Sequence, residues 1–270
     1  MFTTIITDCR DDNARARQES RIAALCQTST SFIGVQSDIE ASLHLIDILD
    51  ATEGRPGIIL VNVAPRGGHT RAWENGTPFA FFWHQETLVV ASIDGFTLAA
   101  VKKLQLVNTV QQLDTRSAAA AMAAATFISA DAAAHIPETQ FRSFDFTPRA
   151  AAFLYQKQTL PSTTLSLTDV PDLPAAIWHI DSFGNAKTTL TPNEISTSDL
   201  TPTRFGTLAY YDQLRSVPDN ESALVRGSSG MGTTRFLEGM MQRGNFANAH
   251  HAQIGDDIFS PTNHAQHATT

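Results

Sequence analysis

Cysteine is scarce, with only Cys9 and Cys26 in 270 residues. Two thiols cannot build a disulfide framework or a four-thiolate zinc site. Basic charge is also short: 19 Lys and Arg stand against 27 Asp and Glu, a formal net charge of −8. Nucleic-acid binding needs clustered cations, so no nucleic-acid partner is expected. No apolar run approaches the roughly 18 residues that a membrane-spanning helix needs, so no membrane association is expected. The opening MFTTIITD lacks a basic region and a long apolar stretch, so no signal peptide and a cytoplasmic location are expected. Nine histidines are present, yet none has the H-E-x-x-H spacing, and His250, His251, His264 and His267 lie in polar sequence. No metal is expected on that pattern.

Apolar residues are plentiful, at 42% against 17% charged, enough for a packed core in one large or two modest domains. The first half alternates strand-like and helix-like segments. Residues 4–7 form a short β-branched run, followed by acids and residues 15–25, which read as a helix. In residues 38–49, Ile39, Leu43, Ile46 and Leu49 recur at helical spacing. The runs GIILVNV (57–63) and LVVASI (88–93) suit strands buried on both faces. The alanine-rich residues 117–127 suit a helix. This is an α/β rhythm. Residues 156–175, rich in Pro, Ser and Thr, read as a linker. Short β-like runs follow at 176–180, 187–190, 206–211 and 222–225. The expected organisation is an α/β N-terminal domain over 1–157, a linker over 158–175, an all-β domain over 176–259 and a flexible tail over 260–270.

Open α/β sheets bind ligands at the carboxyl ends of their strands, so the loops there carry the chemistry. The first holds Asp8, Asp11 and Asp12, suited to a ribose diol, to a ligand ammonium or simply to capping a helix. The second, residues 63–71, offers Gly67 and Gly68 for close backbone approach but no Gly-Lys-Ser/Thr, so it is no Walker loop. Residues 180–189 (IDSFGNAKTT) offer Phe183 for stacking and Asn185 for pairing with a purine edge, or else a core Phe and a Gly-Asn turn. Residues 225–232 (VRGSSGMG) lack the G-x-S-x-G spacing of a serine hydrolase. Their amides and hydroxyls suit a small carboxylate, or form a hairpin tip.

Taken in order, these features resemble the S-adenosylmethionine (SAM) hydroxide adenosyltransferases and their relatives, the SAM-dependent chlorinases and fluorinases. That family opens with a Thr/Ser-Asp-Phe/Leu-Gly strand end and a further Asp, where this chain has Thr7-Asp8-Cys9-Arg10 and Asp11-Asp12. Its C-terminal domain begins Ile-Asp-x-Phe-Gly-Asn-x-x-Thr-Asn, and residues 180–189 differ from this only at Thr189. Ser228 to Gly230, Leu237-Glu238, Gly244-Asn245-Phe246-Ala247 and Gly255-Asp256 follow the family's order.

The resemblance implies an α/β domain followed by a barrel-like β domain. It also implies a homotrimer whose SAM site lies between neighbouring subunits. Asp8 would grip the ribose diol, and Asp12 would lie near the methionine part. Asp181 and Ser229 would bind the methionine amino-acid group, with Phe183 on adenine and Asn185 at its edge. SAM would be a substrate, attacked at ribose C5′, and no metal is implied.

The chain departs from the family where water is handled. The hydrolases carry an Asp, an Arg and a later His. Ala64 stands at the Asp, Arg71 keeps the Arg, and Arg142 replaces the His. Neither Tyr of the halogenases is present, although Ser143 matches a Ser near their halide. Arg71, Arg142 and Ser143 are therefore the catalytic candidates, with His69 as a stand-in base. Three activities stay open: SAM hydrolysis to adenosine and methionine, halide adenosyl transfer, and silent binding of SAM or adenosine.

Overall fold

β1 (Phe2–Thr7) begins a sheet in the computed structural model, which describes residues 1–64 and 76–259. The chain falls into two compact units, Met1–Asp172 and Leu173–Thr270. In the first, β1 leads through α1 (Asp12–Cys26) to β2 (Ser29–Gly34), then through α2 (Asp38–Thr52) to β3 (Gly57–Asn62). β4 (Phe79–His84), β5 (Thr87–Ser92), α3 (Ala99–Lys103), β6 (Thr109–Leu113) and α4 (Thr115–Ala124) follow. α5 (Ala130–His135), α6 (Arg142–Asp145), α7 (Thr147–Tyr155) and β7 (Ser162–Ser166) complete the unit.

The seven strands lie in the order β2-β1-β3-β5-β4-β6-β7. β2, β1, β3 and β5 are parallel, whereas β4, β6 and β7 join antiparallel. Side chains alternate across the parallel core. Ile5, Ile58, Leu60, Leu88 and Val90 pack with Ile22, Met122 and Phe153 from α1, α4 and α7. Ile6, Ile59, Val61 and Val89 are buried on the opposite face, where α2 packs on β1 and β3. Helices on both faces explain why residues 57–63 read as an unbroken apolar run. Asp11, Ser37 and Asp114 cap α1, α2 and α4 by accepting a backbone N–H with the side chain.

The segment expected as a linker contains β7, which pairs along its length with β6. Its residues are Ser and Thr with a single Leu, and it forms the edge of the sheet. An edge strand needs no apolar alternation, so the polar composition conceals it. The polar sequences of β2 and β6 hide them in the same way.

The second unit holds β8 (Ile177–Ile180), β9 (Ala186–Thr188), β10 (Thr201–Thr203), β11 (Gly206–Tyr211), β12 (Ser222–Met231), β13 (Thr234–Met241) and a short helix, α8 (Phe246–His250). The six strands run β10-β11-β12-β13-β9-β8. The expectation of a barrel-like, all-β domain holds in part. The sheet is mixed because β11 and β12 are parallel, it curls as a half-barrel with β10 and β8 as edges, and a helix packs on it. Ile177, Leu208, Leu224 and Leu237 form its core with Phe246 of α8. Burying each such side chain contributes about 1.5–3 kcal/mol. Among the described residues no helix is long and apolar enough to cross a membrane.

Candidate functional site

The chain leaves β1 at Thr7, goes to β2 on one side, and returns to β3 on the other. The carboxyl ends of β1 and β3 are therefore a topological switch point, where a crevice opens because successive connections diverge. Asp8 stands there, half-buried. Its N–H donates to the Asn62 carbonyl at 3.3 Å, and its Oδ2 accepts the Ala64 N–H at 3.0 Å. Among the described residues its Oδ1 meets the Cys9 thiol, at 3.7 Å. Burial, together with the Asp8 carboxylate, pushes that thiol up from its ordinary pKa. That shift favours the thiol over the nucleophilic thiolate.

Of the three acids at this edge, Asp11 is the one that caps α1, through Ala14 N–H at 2.9 Å. Asp12 begins α1 and is exposed. Ala64, at the end of β3, presents a methyl group where the hydrolase pattern has a carboxylate. Arg71 and His69 lie outside the described residues, as does the tail over 260–270.

Arg142 and Ser143 begin α6. The Arg142 guanidinium carbon lies 5.8 Å from the centroid of the Phe79 ring. Phe79 opens β4, opposite Ser92 at the end of β5, and so stands on the same sheet edge as Asp8. β4 is separated from β1 by β3 and β5, about 14 Å at the usual strand spacing. The Ser143 carbonyl accepts from the Thr147 hydroxyl at 2.8 Å.

The second unit gathers the other candidates around one turn between β8 and β9. Asp181 Oδ1 accepts the N–H groups of Phe183 and Asn185, each at 2.9 Å, and Oδ2 accepts the Asn185 side-chain amide at 2.9 Å. Burial alone would raise the Asp181 pKa. The bonds from Asn185 and Phe183, with the charge of Lys187, outweigh it and hold the carboxyl below its usual range. The tied turn holds Phe183 outward, 75% exposed, as the most solvent-exposed large apolar side chain described.

Gly184 has φ +83°, and a Cβ there would collide with the Asn245 side chain. Its carbonyl accepts the Ala247 N–H at 2.9 Å. The GNFA motif at 244–247 thus packs directly on the FGN turn at 183–185.

Beside the turn, Lys187 Nζ donates to Ser229 Oγ at 2.8 Å, Ser228 Oγ at 3.0 Å and Glu238 Oε1 at 3.2 Å. Ser229 and Glu238 are buried, whereas Ser228 is exposed. A break in strand register between Arg226 and Gly230 sets these serines apart from the regular ladder. Motif order alone assigns Lys187 and Glu238 no role. Their signal is the spacing of Asn185 and Lys187, two apart and hence on one side of the strand.

No family model and no curated protein matches the chain. Several solved structures share its fold, among them these two. The crystal structure of an uncharacterized conserved protein from Thermotoga maritima is 15% identical, with a TM-score of 0.61, covering 94% of this chain and 97% of that one. That of a conserved hypothetical protein from Thermus thermophilus is 16% identical, with a TM-score of 0.52, covering 94% and 96%. Both align over nearly their full lengths, so the likeness takes in both units.

Proposed function

We propose that the protein binds SAM and cleaves it by nucleophilic substitution at ribose C5′, with hydrolysis to adenosine and methionine as the leading form. The observation that carries this reading is Asp8 at the β1/β3 switch point. It is a carboxylate steadied, among the described residues, by the Ala64 N–H, and its geometry suits two ribose hydroxyls. The ordered turn that presents Phe183 supports it as a platform for the adenine ring. In a homotrimer, as the resemblance implies, Asp8 of one subunit would meet this turn of the next.

In this reading the methionine ammonium takes the remaining acceptor capacity of Asp181. Ser229, with Ser228 beside it, faces the methionine carboxylate, and Lys187, whose three donors hold both serines and Glu238, keeps the local charge positive. Asp12 lies at the methionine end. Sulfonium is already a good leaving group, so no acid is required. The attacking oxygen or halide displaces sulfur at C5′ as the C–S bond breaks and the electron pair leaves with methionine. Arg142 and Ser143, with Arg71, supply the positive charge and hydroxyl that hold an anionic nucleophile. In-line positioning of this kind supplies effective molarities of about 10⁵–10⁸ M.

Ala64 favours a second reading, binding without turnover, because its methyl group cannot hold a water. Incubation of purified protein with SAM separates the two. Adenosine, or 5′-chloroadenosine in chloride, supports catalysis. Intact SAM beside measurable binding supports the silent binder. Absence of binding to SAM and to adenosine overturns both. Light scattering reports the assembly, with three times the 29.3 kDa of one chain expected.

A further inference from the structure

A cavity of about 950 Å³ opens in the first unit, between the ends of β6 and β7 and the loops around α4, α5 and α6. Arg142, Gln112, Arg116, Glu138, Ser162 and Thr163 are among its lining residues. Its volume matches the 300–1,000 Å³ typical of small-molecule sites and far exceeds what water or a halide fills.

The charges on its wall are not balanced one for one. Arg116 is paired with Glu138 at 2.7 Å. Asp114 is engaged at the start of α4, where it accepts the Ser117 N–H at 2.7 Å. Arg142 has no carboxylate partner among the described residues. Its neighbours are the Phe79 ring and the backbone of Gly76, where a Cβ would collide with Nη2. Half-burial is unfavourable for a guanidinium unless an anion meets it, and the described residues of the wall supply none to Arg142. A planar, forked donor of this kind is best satisfied by two oxygens of one anion. Thr163, on the edge strand, and Gln112 opposite it add neutral hydrogen-bonding groups for the rest of a ligand, and Ser162 at the strand's start, whose hydroxyl donates to Gln111 Oε1 at 3.3 Å, adds an acceptor at the rim.

We infer that this cavity is a binding site for a small hydroxylated organic anion, its carboxylate or phosphate on Arg142 and its hydroxyls on Gln112, Ser162 and Thr163. The site shares Arg142 with the proposed SAM chemistry, so an anion seated here would compete with the nucleophile for that guanidinium. Titrations without SAM keep the two readings apart, because the SAM reading stands on Asp8 and Phe183 rather than on this cavity.

Calorimetric titration of the full chain with gluconate, glycerol 3-phosphate, inorganic phosphate and neutral glycerol tests it. Binding of gluconate or glycerol 3-phosphate, without binding of glycerol, is expected, and the tighter of the two identifies the anion. Arg142→Met should weaken that binding about tenfold or more, with Arg142→Lys retaining part of it. Gly76→Ala, which displaces the guanidinium, should act in the same direction. Ser162→Ala and Thr163→Val lie on an exposed edge and keep the test valid if Arg142→Met fails to fold. The doubly substituted chain should bind several-fold more weakly. Absence of binding by both organic anions, binding of inorganic phosphate alone, or unchanged affinity in the folded variants would overturn the inference.

Discussion

The Ala64 N–H donates to Asp8 Oδ2 across 3.0 Å and so ties the carboxyl end of β3 to that of β1. The bond comes from the backbone, so it survives the loss of any acidic side chain at position 64. It fixes the Asp8 carboxylate at the carboxyl ends of the two strands.

Asp8→Ala should lower adenosine and SAM affinity, because each lost bond to a charged acceptor is worth about 1.5–3 kcal/mol. Asp8→Asn should lose less. Titration calorimetry on both variants measures this. Affinity equal to that of the unaltered chain would remove Asp8 from the ligand.

Phe183→Ala should leave thermal stability within about 0.5 kcal/mol, since an exposed side chain contributes little to folding. Nucleoside affinity should fall by about 1–3 kcal/mol through lost stacking. Paired melting and binding measurements distinguish a platform from a packing residue.

Lys187→Met should destabilise the second unit by about 3–5 kcal/mol, because it leaves Glu238 buried without its counter-charge. Replacing Glu238 by Gln in the same chain should recover part of the loss. Urea unfolding of the single and double variants reads the coupling.

Asp181 should titrate below its reference value of 3.8, seen as a low midpoint for its carboxyl carbon by NMR. A depressed folded-state pKa means that the stabilisation of the turn is fully present above the ordinary carboxylate range. It is lost as pH falls through the folded value. Nucleoside binding that depends on this turn should therefore not vary with Asp181 ionisation between roughly pH 5 and 8.

The buried strands β3 and β5 and the helix α2 are legible in the sequence because their apolar residues recur at the period that their packing demands. β2, β6 and β7 are not, because polar strands carry no such period and are specified by the neighbours they pair with. At the sites, Asp8 and the 180–189 turn are legible from motif order. Asp181 proves to be an organiser of its own loop, a role set by backbone geometry that spacing cannot reveal. The contact of Gly184 with Asn245 joins residues far apart in sequence, each of which looks like an ordinary turn residue.

The Ser- and Thr-rich strand β7 closes one side of the first sheet. That margin carries neither a charge nor a proline, so its outward N–H and C=O groups stay open to an incoming backbone, and the shortness of a five-residue strand is what limits such an extension.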